Sequence, residues 1–231
     1  MALLTIAEGV AKKVGIEVPS EVVADTSRDM VEMLECVNEG AKRIFEAHDW
    51  EILSTIATIT GDGSDEDFAL PSDYARMPND TQLWSSSLET PLSHIKSRDR
   101  WLDLDVRSFD FVINAWIKYG GEIHIKPALA SGVTVQYFYI SNLIVAPSSG
   151  SNKTEFTLDT DTFRLSENLL KLRTIYEWYE NKGLPSAKAE DDYEELLERE
   201  INRDKGARVI KVGKARLPRN TNVAYPAVIT E

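Results

Sequence analysis

The apolar positions Ile6, Val10 and Val14 recur at helical spacing from Thr5 to Val14. Thr5 and Glu8 stand as a capping-box pair and Gly15 supplies a stop, so the pattern predicts a short first helix. After Pro19 a second stripe begins near Thr26 or Ser27 and carries Met30, Leu34, Val37, Ala41, Ile44, Phe45 and His48 along one face, which predicts a long amphipathic helix packed on other helices. At Trp50 the texture turns β-branched, with Ile52, Thr55, Ile56, Thr58 and Ile59 followed by Gly61-Asp62-Gly63 and then by Phe68 and Leu70 running to Pro71. That arrangement reads as a hairpin. Segments 81–84 and 91–95 read as further short strands, while 98–105 is open between a helical turn and a loop.

The clearest alternation is Phe111, Ile113, Ala115, Ile117 and Tyr119, turned by Gly120-Gly121 into Ile123 and Ile125. A third strand with Val133, Val135, Tyr137 and Tyr139 completes an expected antiparallel meander, whose other face carries Trp116, Phe138 and Ile140. The Ser/Gly/Asn/Pro run at 147–153 is a loop. Ser166 can cap a helix bearing Leu169, Leu172, Tyr176 and Tyr179 that stops at Gly183 and Pro185. Ser186 can open another, with Tyr193, Leu196, Leu197 and Ile201 inward and a strongly acidic outer face. Beyond Gly206 the periodicity dissolves into an extended arm. The expectation is an α+β chain: helices at 1–49, an antiparallel β-rich middle at 50–150, a helical hairpin at 151–206 packing on the first helices, and an extended C-terminal arm at 207–231.

Composition narrows the function. Apolar residues at 42% and charged residues at 28% over 231 residues describe a globular chain able to bury its own core. Twenty-six Lys and Arg against 38 Asp and Glu leave a net charge of −12, which repels phosphate and argues against general binding to nucleic acid or an anionic membrane. The single cysteine, Cys36, forms no intrachain disulfide and suits a reducing cytoplasm or an assembly made there. Met1 to Val14 lacks a signal-peptide core, and no stretch has membrane-spanning length.

The residues offer little catalytic chemistry. His48, His94 and His124 are isolated, no second cysteine stands near Cys36, and nucleophile-elbow and Walker signatures are missing, so no metal, cofactor or catalytic set is expected. The acidic run at 61–67 lacks the ligand spacing of an EF-hand and reads as a solvated hairpin tip. Asp103 with Asp105, and Asp159 with Asp161, keep a carboxylate hydrolase open as an alternative. The five tryptophans are spread one per element, as packing anchors are. The basic stretch from Lys205 to Arg219 holds six cations and no acid, directly after an acidic helix. Docking on a protein is favoured over nucleic acid there, with a nucleic-acid-binding accessory protein as the other alternative. Arg208, Lys211, Lys214, Arg216 and Arg219 would make charge-assisted contacts on the partner, and Val209, Ile210 and Tyr225 apolar ones.

The order of these elements, with His48-Asp49-Trp50-Glu51 closing the long helix and Leu70-Pro71-Ser72-Asp73-Tyr74-Ala75-Arg76 after the expected hairpin, resembles the head-to-tail adaptor proteins of tailed bacteriophages. The resemblance runs from Leu3 to about Lys205, and Leu-Pro-x-Asp-Tyr with its following Arg is its most specific piece. From the residues alone, Pro71 ends a ladder, Asp73 satisfies turn amides and Tyr74 tucks under the sheet, with Trp50 and Leu70 as structural anchors. The resemblance implies a non-enzymatic structural protein in the virion neck, assembled in the host cytoplasm. It also implies a dodecameric ring below the portal protein, a downstream tail, stopper or nozzle protein, and DNA passing through the lumen without tight binding. No membrane and no cofactor are implied.

Overall fold

A computed structural model describes residues 2–106 and 114–204. The first helix, α1 (Leu3–Val14), buries Leu3, Ile6, Ala7, Val10 and Ala11 on one stripe and stops at Gly15, whose left-handed φ of 82° lets its amide bond Ala11. It starts two residues before the expected Thr5, and the capping box does not form. Its first amides are instead satisfied by distant backbone: Leu3 N–H donates to the Asp161 carbonyl at 2.8 Å and Leu4 N–H to that of Asp159 at 3.2 Å. The long second helix, α2 (Arg28–Ala47), buries Met30, Met33, Cys36, Val37, Gly40, Ala41 and Ile44, so the true stripe takes in Met33 and Cys36 while Leu34 and Phe45 sit at its margin.

Strand β1 (Ser54–Thr60) follows a single 3-10 turn, Glu51–Leu53. After it come β2 (Asp67–Ala69), β3 (Tyr74–Arg76), β4 (Trp84–Ser85), β5 (Ser93–His94), α3 (Arg98–Val106), β6 (Ala115–Tyr119), β7 (Glu122–Lys126) and β8 (Thr134–Ser141). The chain closes with β9 (Val145–Ala146), β10 (Thr162–Phe163), α4 (Glu167–Lys182) and α5 (Ala187–Asp204). Phe111 and Ile113 of the expected strand lie outside the described residues, and the segment left open at 98–105 is helical.

The expected strand partners are corrected. β1 does not pair with β2; it runs antiparallel to β8 from Ser54↔Ile140 to Thr60↔Thr134. The cause lies at Gly61, whose amide bonds the Val133 carbonyl at 2.8 Å while its own carbonyl takes Gly132 N–H at 3.0 Å, so the chain is held to the 129–133 loop instead of turning back. A side chain at Gly61 would sit 2.6 Å from the Leu129 carbonyl oxygen, which explains why glycine stands there. Likewise β6 and β7 form the expected hairpin, but β8 belongs to another sheet, so among the described residues these three strands do not make a meander. One sheet has β1, β8 and β3 in order with β4 also on β8; the other has β2, β7, β6 and β5, the last pair parallel. They share one core, with Ile59, Val135, Tyr137 and Tyr139 from the first facing Trp116, Ile123 and Ile125 from the second. Trp101 of α3 and Ile95 cover Ala115 and Ile117 of β6.

The helices form the second core. α4 is its hub, packed on α1, α2 and α5, with Leu169, Leu170, Thr174, Ile175 and Trp178 buried and Gly183 ending it in a left-handed cap. Leu172, Tyr176 and Tyr179, expected on the inner stripe, are at its edge. The chain is thus an α+β protein whose N- and C-terminal helices share a bundle beside a β-rich middle. The arm at 207–231 lies outside the described residues. Among the described residues no helix is long and apolar enough to cross a membrane.

Candidate functional site

The residues singled out in the sequence meet where the bundle joins the sheets. Pro71 opens a turn in which its carbonyl accepts from Tyr74 N–H at 3.0 Å, so Tyr74 begins a strand where the sequence suggested the end of one. Asp73 faces β8: Oδ1 accepts the Tyr139 hydroxyl at 2.8 Å, and the Asp73 carbonyl takes Asn142 N–H at 2.8 Å. Burial pushes the Asp73 carboxyl up, but the Ser141 and Tyr139 hydroxyls outweigh it and hold it below the usual carboxylate range. Tyr74 stacks on Tyr139 with ring centroids 5.9 Å apart, takes a hydrogen bond from Lys118, and packs with Leu70 against the sheet core.

Arg76, three residues past Asp73, does what the sequence did not disclose. Its Nε donates to Asp49 Oδ1 at 2.6 Å, and Nη2 donates to the carbonyls of Phe45 at 2.8 Å and His48 at 2.6 Å. Its guanidinium carbon also lies 4.6 Å from the Phe45 ring centroid. A cation on the last carbonyls of a helix satisfies both their open acceptors and the negative end of the dipole. Strand β3 therefore supplies the cap of α2. Two residues on, Trp50 is buried in the bundle core and donates its indole N–H to the Ile44 carbonyl at 2.8 Å. The end of α5 reaches the same joint: Asp204 Oδ2 accepts Glu51 N–H at 2.9 Å and lies 3.3 Å from His48 Nε2.

A second knot ties the segment before α2 to the loop before α4. Asp159 accepts Val22 N–H at 3.1 Å and Val23 N–H at 3.0 Å. Asp161, fully buried, accepts Thr157 and Leu158 N–H at 2.9 Å each and Lys153 Nζ at 3.0 Å. The Asp159 and Asp161 carboxylates are thus engaged as acceptors of backbone amides, a structural use of one of the two acid pairs. Asp103 lies on an exposed turn of α3. Asp62 of the acidic loop accepts Ser64 N–H and Asp65 N–H at 2.8 Å each, an Asx turn. Among the described residues no group of three or more His, Cys, Asp or Glu side chains comes together to hold a metal ion.

The tryptophans need one correction. Trp50, Trp101, Trp116 and Trp178 are buried anchors, whereas Trp84 is 52% exposed on the outer face of the first sheet. It borders a groove of about 870 Å³ also lined by Met77, Pro91, His94 and Trp116, in which His94 stacks on Trp116 at 4.1 Å. Alternation alone gave no signal for this, because Trp84 sits on a two-residue strand. Cys36 is buried beneath α4, and its thiol is pushed up to about 11 by that burial. The docking residues Arg208, Val209, Ile210, Lys211, Lys214, Arg216, Arg219 and Tyr225 lie outside the described residues.

Two comparisons bear on this arrangement. No curated protein matches the chain. The sequence model of a family described as SU10 adaptor protein matches residues 1–220, which takes in both cores, the joint, and the whole basic stretch from Lys205 to Arg219. A match over that much of the chain shows its family.

Proposed function

We propose, from the premise that the chain belongs to the SU10 adaptor protein family, a phage head-to-tail adaptor family, that it forms a dodecameric ring in the virion neck. The ring sits below the portal protein, receives the next tail, stopper or nozzle protein, and surrounds the DNA channel. The family match over residues 1–220 carries the reading. In it, residues 1–49 and 151–206 make the bundle, 50–150 the β region between, and 207–231 the arm that docks on a partner. Assembly takes place in the host cytoplasm, and the role asks for no catalysis.

Charge supports the reading. Six of the 26 cations but only one of the 38 acids lie beyond Asp204, so the first 204 residues hold 20 cations against 37 acids. Asp191, Asp192, Glu194, Glu195 and Glu198 are exposed along α5. Such a surface repels phosphate, so duplex slides past it instead of sticking. The basic stretch carries the opposite sign and is suited to an acidic protein surface.

Truncation after Gly213 tests the arm. It removes Lys214, Arg216, Arg219 and Tyr225, and it should abolish incorporation into portal-containing heads while shifting the thermal transition by no more than about 2 °C, since every described residue of both cores stays in place. Normal incorporation of the truncated protein contradicts the docking role.

A further inference from the structure

The groove of about 870 Å³ has both Trp84 of β4 and His94 of β5 among its lining residues. On its wall Trp116 is 2% exposed, and its indole N–H has no acceptor among the described residues, which costs free energy until an acceptor arrives. His94 stacks on the same ring with the two planes 10° apart. β5 is also the last strand of its sheet. Ser93 and Ile95 give their amides to the Asn114 and Trp116 carbonyls at 2.8 and 2.9 Å. The His94 amide and carbonyl between them therefore face away from β6, where neither has a backbone partner among the described residues.

Two turns wall the groove, and each holds a carboxylate in a backbone conformation suited to glycine. Asp80 has a φ of 68° and Glu89 a φ of 52°, and among the described residues no other non-glycine residue is left-handed. Glycine would make either turn without strain, so these side chains stand there against a local cost. Both are exposed and both line the groove, as does Lys96. Burial and the neighbouring Lys96 hold His94 below the usual imidazole range, so it adds no charge at neutral pH. Two acids against one cation leave the wall acidic, which suits a cationic visitor.

We propose that this groove binds an extended, basic peptide segment of a partner protein. A carbonyl of the segment accepts the Trp116 indole N–H, and its backbone pairs with the free amide and carbonyl of His94. Its cationic side chains meet Asp80 and Glu89, and an apolar one lies against Trp84, which is 52% exposed. An oligosaccharide would use the aromatic faces but leave the strand edge unpaired, so a peptide accounts for more of what the groove offers. For an adaptor, such a segment is a tether from a neighbouring neck protein. That identity rests on the family reading, whereas the binding itself belongs to the isolated subunit and is tested without the ring.

NMR titration of the full-length protein, at about 150 mM salt to screen loose attraction, tests it. The probes are a heptapeptide of alternating valine and lysine, its glutamate counterpart, the basic peptide with its amides N-methylated, and maltohexaose. The basic peptide should give saturable shifts of the Trp116 indole N–H and of the amides of residues 79–82 and 89–96. Exchanging lysine for glutamate, or N-methylating the amides, should each weaken binding at least about ten-fold. Trp84→Ala should weaken it about ten-fold and Glu89→Gln about three-fold, both at exposed positions whose replacement leaves the fold in place. Equal binding of the N-methylated peptide, or shifts spread along the acidic face of α5, means unspecific attraction and overturns the inference. An unmoved Trp116 indole does the same, as does a groove that takes maltohexaose or a second copy of the chain in place of the peptide.

Discussion

Replacing Trp50 with alanine is expected to cost about 3–5 kcal/mol of folding stability, seen as a large drop in the denaturation midpoint. The ring is almost wholly buried in the helical core with Ile44 and Leu53, packs edge-to-face on His48 with centroids 5.1 Å apart, and donates its indole N–H to the Ile44 carbonyl. The substitution therefore opens a cavity and leaves a buried carbonyl short of a donor. Trp50→Phe separates the two effects, because it keeps most of the apolar volume and loses the hydrogen bond, for about 1 kcal/mol beyond the small packing change. A Trp50→Ala protein with an unchanged midpoint that nevertheless failed to assemble would place this residue at an interface.

Asp161→Ala is the second large loss, at about 3 kcal/mol or more. It removes the acceptor of two backbone amides and of Lys153 from a site with no exposure at all. The same carboxylate gives stability its acid limb. Burial alone would push the group up, but the Thr157 and Leu158 amides and the Lys153 ammonium pull it down, and its folded value lies below the ordinary 3.8. A depressed carboxylate contributes fully above its unfolded value, and that contribution is lost as pH falls through the folded value. Asp73 is shifted the same way. The melting temperature should thus fall on acidification below about pH 4, and Asp161→Asn should flatten that fall while lowering the neutral-pH value. An acid limb identical in the Asn variant would mean that other carboxylates set it.

What was legible in the sequence was local. The stops at Gly15 and Gly183 and the Gly120-Gly121 turn stand where they were expected, because each depends on a left-handed conformation that glycine alone adopts freely. The helices flanking the β-rich middle were legible too, as was their gathering into one bundle, although the inner face of α4 is made by Leu170, Thr174 and Trp178 in place of Leu172, Tyr176 and Tyr179. Strand partners were not. The pairing of β1 with β8 is set by Gly61 meeting the 129–133 loop, and no periodicity within β1 encodes that contact. The joint was half legible: Asp73 and Tyr74 could be read as turn and anchor, but the role of Arg76 depends on the Phe45 and His48 carbonyls, which any residue would offer. Asp159 and Asp161 looked like paired acids for the same reason, since the amides that occupy them leave no mark in the sequence.

Electron microscopy of the neck of the purified virion tests the central claim most directly. The account predicts a dodecameric ring of this chain between the portal and the first tail component, with the duplex passing through its lumen and without continuous protein density gripping the phosphates. A neck that lacks this chain, or the chain located along packaged DNA or elsewhere in the particle, contradicts it.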